Sequence, residues 1–451
     1  MRQNPHILVL AYVYPPDAGS GTFRTLHLMN NLSKRGFEIS VITTKISDFH
    51  SEANIDEKLI TKIYPDIKVI RCSVKRPLSF LINIKKNYFE KGNETNENDN
   101  NLKRLIDNNS DKSRKGFFVL LKDMISDLLT CPDQHVGWIP DVLKNGSKII
   151  REKKTDCIFA TGGPWSCVLA GALLHKMTGV PLILDFQDPW VSNPNINNKN
   201  IFFKIILKKM EAFVIKSGTA LIANTEESRN DLMERYTCLN NKNTYTITNG
   251  YDKSEKEIVS KKANCFSIVH TGELYLSRNP ANLLEAVITL IKNNEIDKEL
   301  FRIKFIGGIS INDSKLTELL QSKYLENVIE FYPRVPHDEV LSFQVNADVL
   351  LLIQPEFPLQ IPGKLYEYIS LLKPMLAITE EHSATGNIIR NNDLGVVVED
   401  RTTSIKNAVK EMYTQWVKNQ QSSLKYENVV KFDYENLAQK LEIVINEITE
   451  N

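Results

Sequence analysis

Lys364 and Glu367 stand three residues apart in IPGKLYEYISLLKPMLAI, residues 361–378. If that stretch opens a helix, the two side chains share a face. A lysine at a helix start adds its charge to peptide N–H groups that already favour anions. A carboxylate accepts two hydrogen bonds and can grip a vicinal diol such as a ribose. Pro362 suits a first helical turn, and Gly363 lets a ligand approach the backbone. Lys364 with Glu367 therefore matches the diphosphate and ribose of a nucleotide. Spacing alone leaves a surface ion pair equally open.

A second candidate lies near the start of the chain. YPPDAGSGTFR, residues 14–24, follows the apolar run HILVLAYV and precedes the helix-like TFRTLHLMNNLSKRG. A nicotinamide fingerprint needs G-x-G-x-x-G directly after the first strand and an acid ending the second strand. Here Arg24 replaces the third glycine, VITTK ends without an acid, and Pro15, Pro16 and Asp17 push the glycines away from the strand. A dehydrogenase is disfavoured. Gly19 and Gly21 allow positive φ and close approach, so Gly19-Ser20-Gly21 is expected to face a ligand at the carboxyl edge of a sheet.

Other chemistry is sparse. No D-x-D of the kind that holds a metal on a diphosphate occurs at a strand end; DFQD, residues 185–188, spaces its carboxylates by three. A metal is not favoured there, and none is expected. Cys72, Cys131, Cys157, Cys167, Cys238 and Cys265 form no C-x-x-C pair and are expected to be reduced thiols, mostly buried. Lys plus Arg number 56 against 55 for Asp plus Glu, a net charge of +1 that gives no global pull on nucleic acid.

The elements that must hold these groups come in two runs. The 451 residues exceed one ordinary core, so two domains are expected. In the first half, strands are expected at 6–13, 37–44, 66–71, 156–160, 180–186 and 219–225. In the second half they are expected at 265–272, 301–308, 328–333, 347–353, 374–378 and 394–399, alternating with amphipathic stretches. That alternation predicts parallel sheets with helices on both faces. The charged stretch KSEKEIVSKKAN marks a linker near 252–264. Residues 164–174, too short to span a bilayer, read as a buried helix. The Asn- and Lys-rich stretch 90–116 reads as an exposed insertion, and YENLAQKLEIVINEI as a final amphipathic helix.

PGKLYEY after a strand, followed by KPMLAI, resembles the nucleotide-sugar site of glycosyltransferase family 4 and its near relatives. Five further segments fit in order: the opening strand with its glycine loop, GVPLILDFQDPW, LIANTEESRNDL, TITNGYD, and HTGELYLSRNPANLLEAV. The likeness covers most of the chain except residues 75–130. It implies an α/β fold of GT-B architecture, two Rossmann-like doubly wound parallel-sheet domains facing across a cleft. Their expected bounds are 1–252 on the acceptor side, 265–430 for the donor, and 431–451 as a helix returning toward the first domain.

The resemblance implies roles as well. Glu367 would bind the ribose. Lys364 and Arg278 would neutralise the donor diphosphate, with Gly272 and Gly363 letting backbone approach it. Tyr332, Arg334 and Val335 would border the base. Gly19, Ser20 and Gly21 would lie across the cleft, and Asp188 is the catalytic candidate. The reaction implied is retaining, metal-independent and free of cofactors, the nucleotide-sugar being a substrate. Its acceptor would be a glycan or lipid-linked glycan, in the cytoplasm or on the inner face of the plasma membrane, with membrane-surface contact left open. Leu359 departs from the family, which often carries a glutamate there, and Glu273 sets an acid beside the phosphates. A nucleotide-sugar epimerase and a non-catalytic binding subunit are the alternatives.

Overall fold

The computed structural model describes residues 5–49, 55–75, 131–198, 200–253, 264–275, 277–420 and 424–449. The expected insertion at 90–116 and most of the expected linker lie outside these. By packing, the chain falls into two compact units. Met1–Thr22, Gly36–Asp185 and Asn195–Thr219 form the first; Phe23–Arg35, Phe186–Pro194 and Ala220–Asn451 form the second.

The first half builds a seven-stranded sheet. In chain order it contributes β1 His6–Leu10, α1 Ser20–Lys34, β2 Glu38–Thr44, β3 Lys68–Cys72 and α2 Ile139–Glu152. β4 Cys157–Gly162, α3 Ser166–Thr178, β5 Leu182–Phe186 and α4 Ile201–Ser217 follow, then β6 Ala220–Ala223, α5 Glu226–Arg235 and β7 Thr244–Thr246. The strand order is β3-β2-β1-β4-β5-β6-β7. β1 runs parallel to both β2 and β4, with Leu8 opposite Ser40 and Ile158. Its five residues are all buried, as a strand covered on both faces requires. The segment expected as a buried helix is α3, ended by Gly179 at φ 73°, the left-handed cap that glycine supplies.

The second half opens with β8 Phe266–Thr271, β9 Leu274–Tyr275, α6 Ala281–Lys292, β10 Phe301–Ile306 and β11 Ile309–Ser310. α7 Ser314–Leu320, β12 Ile329–Tyr332, α8 His337–Val345, β13 Val349–Ile353, α9 Lys364–Ser370 and β14 Met375–Ile378 come next. α10 Ala384–Arg390, β15 Gly395–Val398, α11 Thr402–Val417 and α12 Tyr434–Thr449 complete it. Six strands pair in the order β12-β10-β8-β13-β14-β15, with β9 and β11 forming a separate ribbon. Alternate residues of β8 enter different cores. Phe266 and Ile268 pack with Leu283, Val287 and Val409, while Val269 packs with Leu350, Tyr366 and Tyr368. That period of two fixes the register.

All the described pairings between strands of the two larger sheets are parallel. Both sheets reverse strand order once, between β1 and β4 and between β8 and β13. In open α/β sheets such a switch point, at the strands' carboxyl ends, is where ligands bind.

Within the second unit, α12 buries Leu437, Leu441 and Val444. Its Glu442 pairs with Arg35 at 2.5 Å, its Glu447 accepts a hydrogen bond from the Tyr245 hydroxyl at 2.5 Å, and the Tyr434 ring stacks on His27. The described cysteines form no disulfide; Cys72, Cys131, Cys157 and Cys167 are buried, and Cys238 is exposed.

Candidate functional site

The switch point of the second sheet gathers most of the expected donor residues. β8 ends at Thr271, and Gly272 follows at φ 105°, a conformation that suits glycine. Its N–H donates to the Ile306 carbonyl at 2.7 Å. A Cβ at Gly272 would lie 2.3 Å from the Lys364 Nζ. A side chain at this position would push the lysine aside. Lys364 begins α9 and donates to the Thr271 carbonyl. Leu365, Tyr366, Tyr368 and Ile369 of α9 are buried, so Lys364 and Glu367 keep the half-buried opposite face. The helix has seven residues, fewer than two turns. The lysine's charge, rather than a long helix dipole, carries the affinity for an anion.

Burial pushes the Lys364 ammonium down to about 8; the Arg278 charge lowers it further and Glu367 draws it back up. Arg278 stacks 4.7 Å from the Tyr275 ring centroid and donates to Gln354 Oε1 at 3.0 Å. Gln354 directly follows β13, so strands on both sides of the switch point support this cation pair. Two cations this close to one another form an arrangement suited to an anion. Beneath them His270 is fully buried and its Nδ1 donates to the Leu351 carbonyl at 3.0 Å. Burial, then the Lys364 charge, pushes it down to about 3. It is neutral at physiological pH and adds no third charge.

Glu367 has a partner that the sequence reading passed over. Gln344, in α8, is fully buried. Its amide donates to Glu367 Oε2 at 3.3 Å and to Thr271 Oγ1 at 3.0 Å. The Tyr368 hydroxyl also meets Thr271, at its N–H and its Oγ1. Gln344, Thr271 and Tyr368 thus lock the ribose candidate to the end of β8. Only its place between Phe343 and Val345 in VLSFQV could have flagged Gln344 beforehand.

The remaining candidates fall in different surroundings. Tyr332 ends β12; its hydroxyl donates to Glu330 at 2.5 Å and its ring contacts Phe343. Arg334 is exposed and Val335 half-buried in the following loop. A Cβ at Gly363 would meet nothing within 4 Å, so the chain stays open there. Glu273 accepts from the Ser310 hydroxyl of β11. That tie holds the Glu273 carboxylate to the β9–β11 ribbon.

Asp188 is solvent-accessible and accepts from Gln360 Nε2 at 2.7 Å. Crowding around its carboxyl pushes it above the ordinary carboxylate value, and the Gln360 bond opposes that. Leu359, at the family's frequent glutamate position, offers its carbonyl to Thr225 Oγ1 at 2.8 Å. Asp185, by contrast, is fully buried and accepts from Thr161 at 2.7 Å. Among the described residues no group of three or more His, Cys, Asp or Glu side chains could hold a metal ion.

Gly19 and Gly21 do not adopt positive φ, because α1 already begins at Ser20. Asp17 takes over the turn. Its Oδ1 accepts from the Gly19 N–H at 2.6 Å and from Thr22 Oγ1 at 3.3 Å. A Cβ at Gly19 would sit 2.7 Å from that oxygen. The close approach at this glycine is to the protein's own carboxylate.

No protein-family model matches the chain, and no curated protein matches it in sequence. Solved structures do match in fold. The HepE protein of Anabaena, crystallised in complex with UDP, is 12% identical with a TM-score of 0.60, over 98% of this chain and 99% of that one. The N-terminal domain of the Candida albicans trehalose-6-phosphate phosphatase is 13% identical with a TM-score of 0.61, over 99% and 97%. WaaG, a glycosyltransferase involved in lipopolysaccharide biosynthesis, is 14% identical with a TM-score of 0.55, over 99% and 100%. The two parallel sheets, of seven and six strands, give this chain an α/β fold matching that of GT-B glycosyltransferases.

Proposed function

We propose that the chain is a glycosyltransferase of the family 4 type. It moves a sugar from a nucleoside-diphosphate donor to an acceptor hydroxyl, with retention and without a metal, in the synthesis of a surface polysaccharide. One observation carries this reading: Lys364 lies against Gly272 at the switch point of the second sheet, within electrostatic reach of Arg278 and Glu367. The cation pair supplies fixed positive charge where a departing diphosphate gathers negative charge, the kind of preorganised electrostatics that lowers such a barrier. Glu367, held by Gln344, accepts from the ribose hydroxyls. Tyr332, Arg334 and Val335 border the base, and Gly363 gives the phosphates room.

In the transfer, the bond between the anomeric carbon and the diphosphate oxygen breaks as the acceptor oxygen bonds the same carbon. The acceptor's proton passes to the departing diphosphate. Asp188, on the solvent-accessible loop after β5, contacts the sugar or acceptor. The experiment is calorimetric titration of nucleoside diphosphates carrying each common base, followed by the donor sugars of the base that binds. Lys364→Ala and Glu367→Ala are expected to weaken binding at least about tenfold while melting like the wild type. Wild-type affinity in both variants would remove the assignment. Donor turnover without any acceptor would favour an epimerase instead.

A further inference from the structure

α4 carries an unusual outer face. Ile201, Phe202, Ile205 and Phe213 are exposed, the first two at 64% and 63%. Lys208, Lys209 and Lys216 are exposed beside them. At about 100° per residue these seven positions fall within one arc of about 140°. Leu207, Glu211, Val214, Ile215 and Ser217 are buried. Glu211, the helix's one acid, is fully buried, so every exposed charge on α4 is positive. The chain as a whole is nearly neutral at +1, which makes this concentration local.

Large exposed apolar side chains gathered on one face call for a partner. A protein partner would bury the apolar groups and leave the lysines without counter-charges unless it were acidic. An anionic bilayer satisfies both sets together. Isoleucine and phenylalanine enter the acyl boundary, while lysines on flexible stems meet the headgroup phosphates. No helix among the described residues is long and apolar enough to cross a membrane, so the contact is with the surface.

We propose that the exposed face of α4 docks the chain on a lipid surface bearing anionic headgroups, Phe202 and its neighbours inserting and Lys208, Lys209 and Lys216 binding phosphate. This rests on exposure and charge and stands whatever substrate the second sheet takes. The test is co-sedimentation of the full chain with vesicles of phosphatidylcholine alone or with about a third phosphatidylglycerol. Binding is expected to the anionic vesicles and to fall steeply with salt. Ile201→Asp with Phe202→Asp, and separately Lys208→Glu with Lys209→Glu, should each lower the partition coefficient about tenfold or more. Both variants should keep the wild-type circular dichroism. Equal pelleting with neutral vesicles, unchanged pelleting of both folded variants, or a wild-type dimer that Ile201→Asp with Phe202→Asp dissolves would overturn the proposal. The last result would assign the face to a second copy of the chain.

Discussion

At the residue scale, Lys364 shows what the site costs the fold. Its ammonium is held at about 8 against an ordinary 10.5, chiefly by burial. The folded state therefore binds that proton less well than the unfolded chain does. The penalty is fully present below about pH 8, shrinks as pH rises, and is gone above about 10.5. At pH 7 it amounts to about 3 kcal/mol. A bound diphosphate restores the charge, so affinity should fall as pH rises through the free protein's value. Calorimetry should find binding about tenfold weaker at pH 9 than at pH 7, measured against Lys364→Ala to remove the ligand's own ionisation. A flat ratio would mean the lysine does not meet the anion. Lys364→Met should lose binding without lowering Tm, because the buried charge goes with it.

Gln344 makes a separate claim at this scale. Its amide bonds Glu367 and Thr271, and its own Oε1 has no partner among the described residues. It is a positioning residue, acting on ribose only through Glu367. Gln344→Leu should weaken a nucleoside diphosphate about tenfold and leave its 2′,3′-dideoxy counterpart unchanged, since only the former offers hydroxyls to Glu367. Equal losses for both ligands would reduce Gln344 to a packing role.

At the scale of elements, two glycines at opposite edges of the second sheet separate function from stability. Gly395 opens β15 at φ 149°, and a Cβ there would lie 2.1 Å from the Met375 carbonyl oxygen. That obstacle is backbone and cannot swing aside. Gly395→Ala should cost about 3 kcal/mol, seen as a Tm loss of about 5 °C or more, with ligand affinity intact. Gly272→Ala meets the end of a lysine side chain instead. It should cost less stability but displace Lys364, weakening diphosphate binding about tenfold. Thermal melts with calorimetry on both variants check the pair, and the reverse pattern would contradict it.

The sequence made these elements legible where pattern and burial coincide. VLLLI and the more mixed FSIVHT are short β-rich runs buried throughout, and their alternation with helices announced the parallel sheets. Lys364 and Glu367 could be read because both fall within one short helix. Three short strands, β7, β9 and β11, were not read, since two or three residues carry no period. At Gly19 the acceptor that closes the turn is Asp17, two residues before it, a tie that no pattern in the sequence marks. Gln344 was invisible because its partners stand 23 and 73 residues away. Contacts such as Arg35 with Glu442 are set by tertiary packing, and no local pattern records them.

At the scale of the whole molecule, the two surfaces argued for above belong to different packing units, since α4 lies in the first and the cation site in the second. Each ligand should therefore protect its own unit. A nucleoside diphosphate at a hundredfold over its Kd adds about 2.7 kcal/mol to whatever unfolding it must precede. Amide hydrogens of β8, β13 and α9 that exchange through that unfolding should slow about a hundredfold. Those of β1 and β4 should not change. Anionic vesicles should slow exchange in α4 and leave β8 and β13 alone. Hydrogen-exchange mass spectrometry on the full chain reads all of these segments in one experiment. Nucleotide protection spread evenly over both units would show that they unfold as one. Nucleotide protection confined to α4, with none at β8, would place the phosphate site on the lysine face and overturn the assignment to Lys364 and Arg278.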